Sequence, residues 1–321
     1  MRNLFTYLLL SFLCANTLSA CWEDNEHDVD SSIIYDEAST TGAEENSNPE
    51  DVEPSSDYSS QRIVKISFLM NTISNSLSMQ GSALYGTTLF QFTNGNNTVF
   101  VYDVEEKSQL GIVSIEGKKQ WHNNQATFSH TFYEKGDEFP LLYTSQIEPS
   151  QQNIQVWRVQ RGENLFDIKL VQSIKLPYDT EENNLFHFNM VIDDKDEYFW
   201  LYSRNRTSSL GQISKWKLPD PHAGDLTMDE SDMLHRFPID LVMNDAQGGT
   251  MLGQRIYFVQ GVPSRSELQF HIVNVNTQLV TSFNLRDYHF GVEPEGLSFY
   301  RGRFICTTNR RGIYEIYLNA Y

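Results

Sequence analysis

A chain of 321 residues in which 13% of the side chains are aromatic, 16 Tyr and 20 Phe among them, suits strands better than a helical bundle, because rings pack well on a pleated surface. The formal charge of −18 excludes a basic nucleic-acid footprint, and three cysteines at positions 14, 21 and 306 exclude a disulfide framework in the folded domain. The charge is concentrated in one place: residues 22–60 carry thirteen Asp and Glu and no Lys or Arg, so the remainder of the chain is only mildly acidic.

In chain order, Arg2 precedes the apolar run Leu4-Phe5-Thr6-Tyr7-Leu8-Leu9-Leu10-Ser11-Phe12-Leu13, a positive n-region followed by an h-region too short to span a membrane comfortably. Leu18-Ser19-Ala20-Cys21 comes next. It resembles the lipobox of bacterial lipoproteins, a likeness that implies a signal peptide over residues 1–20 and acylation of Cys21. The acidic run Glu23-Asp24-Asn25-Glu26-His27-Asp28 is similar to the export signals that carry lipoproteins of the Bacteroidetes to the outer face of the outer membrane. Residues 21–60 have few apolar side chains, and they read as an acylated Cys followed by a disordered, charge-extended tether. The expected partner at this end is therefore a membrane, reached through a lipid anchor.

Residues 61–321 alternate short apolar runs with Gly, Asn, Asp and Pro turns, and no long stretch of helical period appears. Ile63–Leu69 is a strand that precedes the first repeat unit and has no sheet of its own. Gln80-Gly81-Ser82-Ala83-Leu84-Tyr85-Gly86 then opens a pattern that returns at Gln247-Gly248-Gly249-Thr250-Met251-Leu252-Gly253 and at Glu295-Gly296-Leu297-Ser298-Phe299-Tyr300-Arg301-Gly302. Each copy is a polar residue, a glycine, a strand and a Gly-containing turn, followed by a second apolar run. From Gln80 to Ile115 four strands succeed one another through short turns, which is one blade of a β-propeller.

Further units open at His122-Asn123-Asn124-Gln125, at His187-Phe188-Asn189, at Asp245-Ala246-Gln247 and at Glu293-Pro294-Glu295. The third carries an excursion from Pro219 to Arg236, read as a short helix or a loop. The fifth has three strands, and Ile63–Leu69 supplies the fourth, which closes the ring and removes open edges. The fold class is thus all-β: a single propeller of five blades, with six available if the long second or third unit divides. A β-sandwich would not explain three copies of one motif.

With these segments in place, the chain resembles a group of propeller lipoproteins of the Bacteroidetes, which implies the fold and the cell surface and brings no activity. A fainter likeness, limited to Gln-Gly and Glu-Gly dipeptides, is to the five-bladed glutaminyl cyclotransferases.

Residues just before an innermost strand surround the channel mouth. The candidate ligand-binding residues are accordingly Gln80, His122, Asn124, His187, Asn189, Asp245, Gln247, Glu293 and Glu295. Such a convergence suits a glycan, peptide or protein ligand. Asp245, Glu293 and Glu295 equally suit a channel-bound cation such as calcium, or the paired carboxylates of a carbohydrate-active hydrolase or lyase, or a cyclotransferase. The plain alternative is that these side chains bond neighbouring backbone and lock the blades together, which is the favoured reading for Gln80 and Gln247. Cys306, within Phe304-Ile305-Cys306, reads as a small buried hydrophobe. Asp193-Asp194-Lys195-Asp196-Glu197 reads as a solvated turn between strands. A monomer is expected.

Overall fold

Alternating apolar side chains give nearly every strand two faces to bury, and the chain satisfies both by standing its sheets side by side around an axis. The computed structural model describes residues 61–72, 77–95, 97–115, 123–146, 153–163, 165–177, 185–193, 195, 197–205, 210–309 and 311–319, without the side chains of 146, 185–188 and 205. All of them belong to one compact unit, Glu53–Tyr321. The expected lipidation site, Cys21, lies outside the described residues, as does His122.

The first strand, β1 (Ile63–Met70), is followed by blade 1: β2 (Met79–Tyr85), β3 (Thr88–Thr93), β4 (Thr98–Asp103) and β5 (Ser108–Ser114). Blade 2 comprises β6 (Asn123–Phe128), β7 (Leu142–Gln146), β8 (Asn153–Gly162) and β9 (Leu165–Lys175), and blade 3 opens with β10 (Leu185–Ile192), β11 (Tyr198–Asn205) and β12 (Gly211–Lys217). The chain then adds β13 (Leu226–Thr227) in parallel to the edge of blade 2 at β9 before returning as β14 (Met233–Ile239), the outermost strand of blade 3. Blade 4 is β15 (Ala246–Leu252), β16 (Arg255–Gln260), β17 (Gln269–Asn274) and β18 (Val280–Asn284). Blade 5 is β19 (Pro294–Tyr300), β20 (Arg303–Thr308) and β21 (Ile313–Leu318), completed by β1 in antiparallel register from Ile63 opposite Leu318 to Met70 opposite Ile313.

The five-bladed propeller and its closing strand are therefore as the repeats predict. The excursion is different. Only Glu230–Asp232 forms a short 3₁₀ turn, and the residues beyond it make a full strand in which Phe237 and Ile239 are buried. Pro238 hides this strand from a pattern reading, yet the strand lies at the sheet edge, where a missing N–H costs no ladder bond.

The core is five seams rather than one centre. Phe90, Phe92, Val99 and Val101 of blade 1 meet Ala126, Leu142, Trp157 and Ile168 of blade 2. Tyr143, Ile154 and Ile174 meet Met190, Phe199 and Trp216 between blades 2 and 3. Tyr202 and Ile213 meet Ile256 and Phe258 between blades 3 and 4, and Tyr257 and Phe270 meet Leu297, Phe304 and Cys306 between blades 4 and 5. The fifth seam sets Leu69, Met70, Ile305 and Ile313 against Met79, Leu89 and Phe100, so the ring is closed by packing as well as by the β1 ladder. Strand β3 shows the period directly: Leu89 enters the seam with blade 5, and Phe90 the seam with blade 2. At roughly 1.5–3 kcal/mol per fully buried large apolar side chain, each seam is a large favourable term set against chain entropy.

Cys306 is fully buried in the seam of blades 4 and 5, as a small hydrophobe should be. Asp193 accepts backbone bonds from Glu197 and Tyr198 between β10 and β11, while Asp194 and Asp196 of the same acidic run lie outside the described residues.

Candidate functional site

The innermost strands β2, β6, β10, β15 and β19 are neighbours in ring order around the axis. Each departs from regular pairing near its start. Register shifts fall between Met79 and Ser82, Asn123 and Gln125, Phe186 and Asn189, Ala246 and Gly249, and Pro294 and Gly296. In every case the inner strand carries one residue more than its partner, which is a β-bulge, and bulges re-aim side chains beside functional sites. Gln80, Asn124, His187, Gln247 and Glu295 all lie within these bulges, so five of the nine sequence candidates occupy one repeated structural position.

The bulges bring backbones close together. A Cβ on Gly248 would stand 2.4 Å from the Cα of Gly296, and one on Gly296 would stand 2.0 Å from the Oγ of Ser82. These glycines are required by the approach of blades 4, 5 and 1.

Blade 2 reaches across the axis to blade 4. The Asn124 amide donates to the carbonyl of Ala246 at 2.8 Å. Gln125 donates to the carbonyl of Gly249 and accepts from its N–H, each at 2.6 Å. This is a two-point clamp on the backbone flanking Gln247. Blades 5 and 1 are similarly joined: the Ser82 and Thr307 hydroxyls are 2.9 Å apart, and Gln91 donates to the carbonyl of Thr308 at 3.2 Å.

Gln247 donates to Glu293 at 3.4 Å, Asn309 donates to the other oxygen of Glu293 at 3.0 Å, and Asn309 accepts from the N–H of Met79 at 3.2 Å. A chain of bonds thus runs over blades 4, 5 and 1 at the mouth. Asp245 does not join it through any hydrogen bond or ion pair. Its carboxylate is bound by Arg265 at 2.7 Å and 3.1 Å, at the rim.

What remains unsatisfied is unevenly distributed. Gln80 spends its amide N–H on the carbonyl of Met79 and leaves its oxygen without a partner. The same holds for the oxygens of Asn124 and Gln247, while in Asn123 and Asn189 both amide atoms are without partners. Neither oxygen of Glu295 has a partner, although the residue is fully buried. Seven of these nine buried atoms are oxygens, two of them on Glu295. Because the amide nitrogens of Gln80 and Asn124 are committed to backbone carbonyls, the orientation of those two side chains is set by the protein itself.

Burial raises the Glu295 pKa well above the ordinary carboxyl value, and the negative charge of Glu293 raises it further. Glu295 in turn adds to the effect of burial in pushing the Cys306 thiol up. Glu295 therefore lies within electrostatic reach of both Glu293 and Cys306. Among the described residues no three His, Cys, Asp or Glu side chains gather into a metal-binding group.

Of the sequence candidates, Gln247 and Glu293 are in contact, Glu295 is coupled to Glu293, and Asn124 belongs to the clamp. Gln80 and Asn189 are buried with free polar atoms, and Asp245 is drawn aside by Arg265. His187 lies in the third bulge, and its side chain is outside the described residues. Asn309 was not anticipated: it follows β20 in a turn, where no periodicity marks it, and its role depends on blade 1, whose Met79 N–H it accepts.

No protein-family model matches the chain, and no curated protein matches it. Among solved structures it is similar to glutaminyl cyclase of Myxococcus xanthus, at 11% identity over 81% of this chain and 97% of that one, with a TM-score of 0.48. It is also similar to a catalytically inactive virginiamycin B lyase from Staphylococcus aureus, at 9% identity over 79% and 99% of the two chains with a TM-score of 0.43. A third is a luciferin-regenerating enzyme, at 9% identity over 77% and 78% with a TM-score of 0.38. These values carry nothing about activity.

Proposed function

We propose that the chain is a lipid-anchored surface protein whose propeller is a binding module, with a glycan, peptide or protein ligand held at the mouth formed by blades 1, 2, 4 and 5. One observation carries the reading. The bulged inner strands hold buried side-chain oxygens that lack donors, and a buried acceptor left unpaired costs about 1–3 kcal/mol. A ligand presenting hydroxyl or amide donors there recovers that cost, and so gains affinity and specificity together.

The entry of the chain into the propeller is compatible with this role. Arg62 exchanges backbone and side-chain bonds with Asn319 at the end of blade 5 where β1 begins and β21 ends. That end is opposite the mouth, where β2, β15 and β19 begin.

An array of glycans and peptides probed with the protein tests the reading. A ligand should emerge whose binding weakens about tenfold or more in Gln247→Ala, the equivalent of one good hydrogen bond. An array without any hit would sink it. For the anchor, metabolic labelling with a radioactive fatty acid should mark the protein, and Cys21→Ala should abolish the label.

A second reading, a hydrolase or lyase, is favoured by a single feature: Glu295 holds its proton strongly beside the negative charge of Glu293. Carboxyl groups whose environments differ in this way divide acid and base roles in such enzymes. Turnover of an array ligand that disappears in Glu295→Gln, with binding retained, would select it.

A further inference from the structure

Three copies of the repeat end their inner strand in the same turn, and one of them departs from the others. Gly86 and Gly253 follow β2 and β15 with φ of +56° and +53°, in the left-handed region that glycine enters freely. The equivalent position after β19 is Arg301, at φ +45°. A side chain there carries a steric cost that the other two copies avoid. Its contacts show what the arginine does. The guanidinium lies over the Tyr300 ring, 5.1 Å from the centroid, and reaches an oxygen of Glu105 in blade 1 at 3.6 Å.

Arg303, two residues on, holds the same Glu105 oxygen at 3.3 Å and sets its Nε 2.5 Å from Glu315 of β21, a charge contact rather than an aligned hydrogen bond. Glu315 accepts from the Tyr317 hydroxyl at 2.9 Å and from Ser67 of β1 at 3.4 Å. A charged chain thus runs from the closing strand through β21 and β20 to blade 1. On the far side of the seam, Asp103 accepts the backbone N–H groups of Glu105 and Glu106, each at 2.9 Å, so the turn that presents Glu105 is set by its own bonds.

Toward the axis the same two blades are joined in another way. The bonds from Ser82 to Thr307 and from Gln91 to the carbonyl of Thr308 are neutral and buried. Such bonds are indifferent to salt, whereas Glu105 at 36% exposed and Arg301 at 67% are open to screening. Strand β1 leans on the charged half. Its ladder partner β21 lies at the other end of the chain with no connecting turn, and register shifts interrupt the ladder near both ends. Three of its eight side chains, Ile63, Leu69 and Met70, are buried.

We infer that Arg301, Arg303 and Glu105 form a latch on the outer half of the seam between blades 5 and 1, and that this half, with β1, opens as a unit while the inner strands stay joined. The point where the chain enters the propeller is then also its point of local opening, whatever the mouth binds.

Hydrogen exchange followed by mass spectrometry on the full-length protein reads this directly, because amide protection reports the free energy of local opening. At low salt, Glu105→Gln and Arg301→Gly should each speed exchange in peptides covering β1 and β21 by about three- to tenfold, with β2 and β15 unchanged. About 1 M potassium chloride, which shortens the screening length to about 3 Å, should speed the same peptides in the wild type and act much less on Glu105→Gln. Arg301→Gly separates the latch from the turn. Glycine restores the backbone choice of the other two copies, so the melting temperature should stay near the wild type while β1 loses protection. Unchanged exchange of β1 in Glu105→Gln would overturn the proposal, and so would an acceleration spread evenly over all five blades. A salt response of equal size in the wild type and in Glu105→Gln would trace it to charges elsewhere and would also overturn the latch.

Discussion

Blades 2 and 5 put polar side chains at the same place, the bulge of the innermost strand, and use them in opposite ways. In blade 2, Asn124 and Gln125 reach across the axis and bond the backbone of blade 4, so three of their four amide atoms are spent on architecture. In blade 5, Glu295 is as deeply buried and has no partner at all. A polar residue at a blade entrance is therefore not evidence of function in itself. What separates a lock from a site is whether its hydrogen-bonding capacity is already used, because an unused buried group is a cost that persists only where something offsets it.

The largest expected effect removes the geometry that both blades share. Gly248→Ala would drive a Cβ to 2.4 Å from the backbone of Gly296, where no rotamer can relieve it. A loss of about 3 kcal/mol or more is expected, or failure to fold, read as the urea midpoint. A midpoint near the wild type would mean that blades 4 and 5 do not approach as described.

Next comes the lock itself. Gln125→Ala strands the N–H and carbonyl of Gly249 in the interior, at about 2–4 kcal/mol for two buried groups left unbonded. Equilibrium denaturation measures it, and a cost below about 1 kcal/mol would reduce the clamp to an incidental contact.

His271 sharpens the comparison, since in blade 4 it also has a buried nitrogen without a partner, yet it sits inside a sheet and away from the mouth. Its other ring nitrogen is 2.8 Å from the Ser282 hydroxyl. Burial lowers its pKa from 6.5 to about 3. The unfolded chain therefore takes up this proton first, and stability is lost as the pH falls from 6.5 toward 3. Over that window the effect amounts to a few kcal/mol at about 1.4 kcal/mol per unit. His271→Gln should flatten that slope without altering ligand binding.

Glu295 should show the reverse slope. Its folded-state pKa is raised, so the stability it contributes is complete below the ordinary value of 4.5 and is lost as the pH rises through the folded-state value. Glu295→Gln should then match the wild type at acid pH and surpass it near neutrality, with the gap widening upward. A gap of constant size across the pH range would show that the carboxyl is not the cause. The smallest effect belongs to Asp245→Asn, where the partner Arg265 is 59% exposed and the pair is worth below about 1 kcal/mol. Ligand binding should survive it.

Much of the fold was legible because it rests on local pattern. The recurrence of Gln80-Gly81, Gln247-Gly248 and Glu295-Gly296 marked inner strands, and the orphan strand at Ile63 marked the closure. Strand β14 was not legible, since Pro238 and the acidic turn before it imitate a loop, and only pairing with β12 reveals otherwise. The site was legible as a set of residues and not as a set of roles. Asp245 looked equivalent to Glu293 until Arg265, twenty residues on, claimed it, and Asn309 became visible only when blades 1 and 5 met.

Sequence by itself thus determined the strand repeat, the propeller with five blades as its leading count, the closing strand, and the polar residues near the start of every inner strand. Period-two patterning and turn chemistry act over a few residues, and that range is enough for such features. The tertiary structure alone decided which of those polar groups are paired. Partners of Gln125, Glu293 and Asp245 come from other turns of the chain, and the burial that leaves Glu295 bare arises only when five seams close around it.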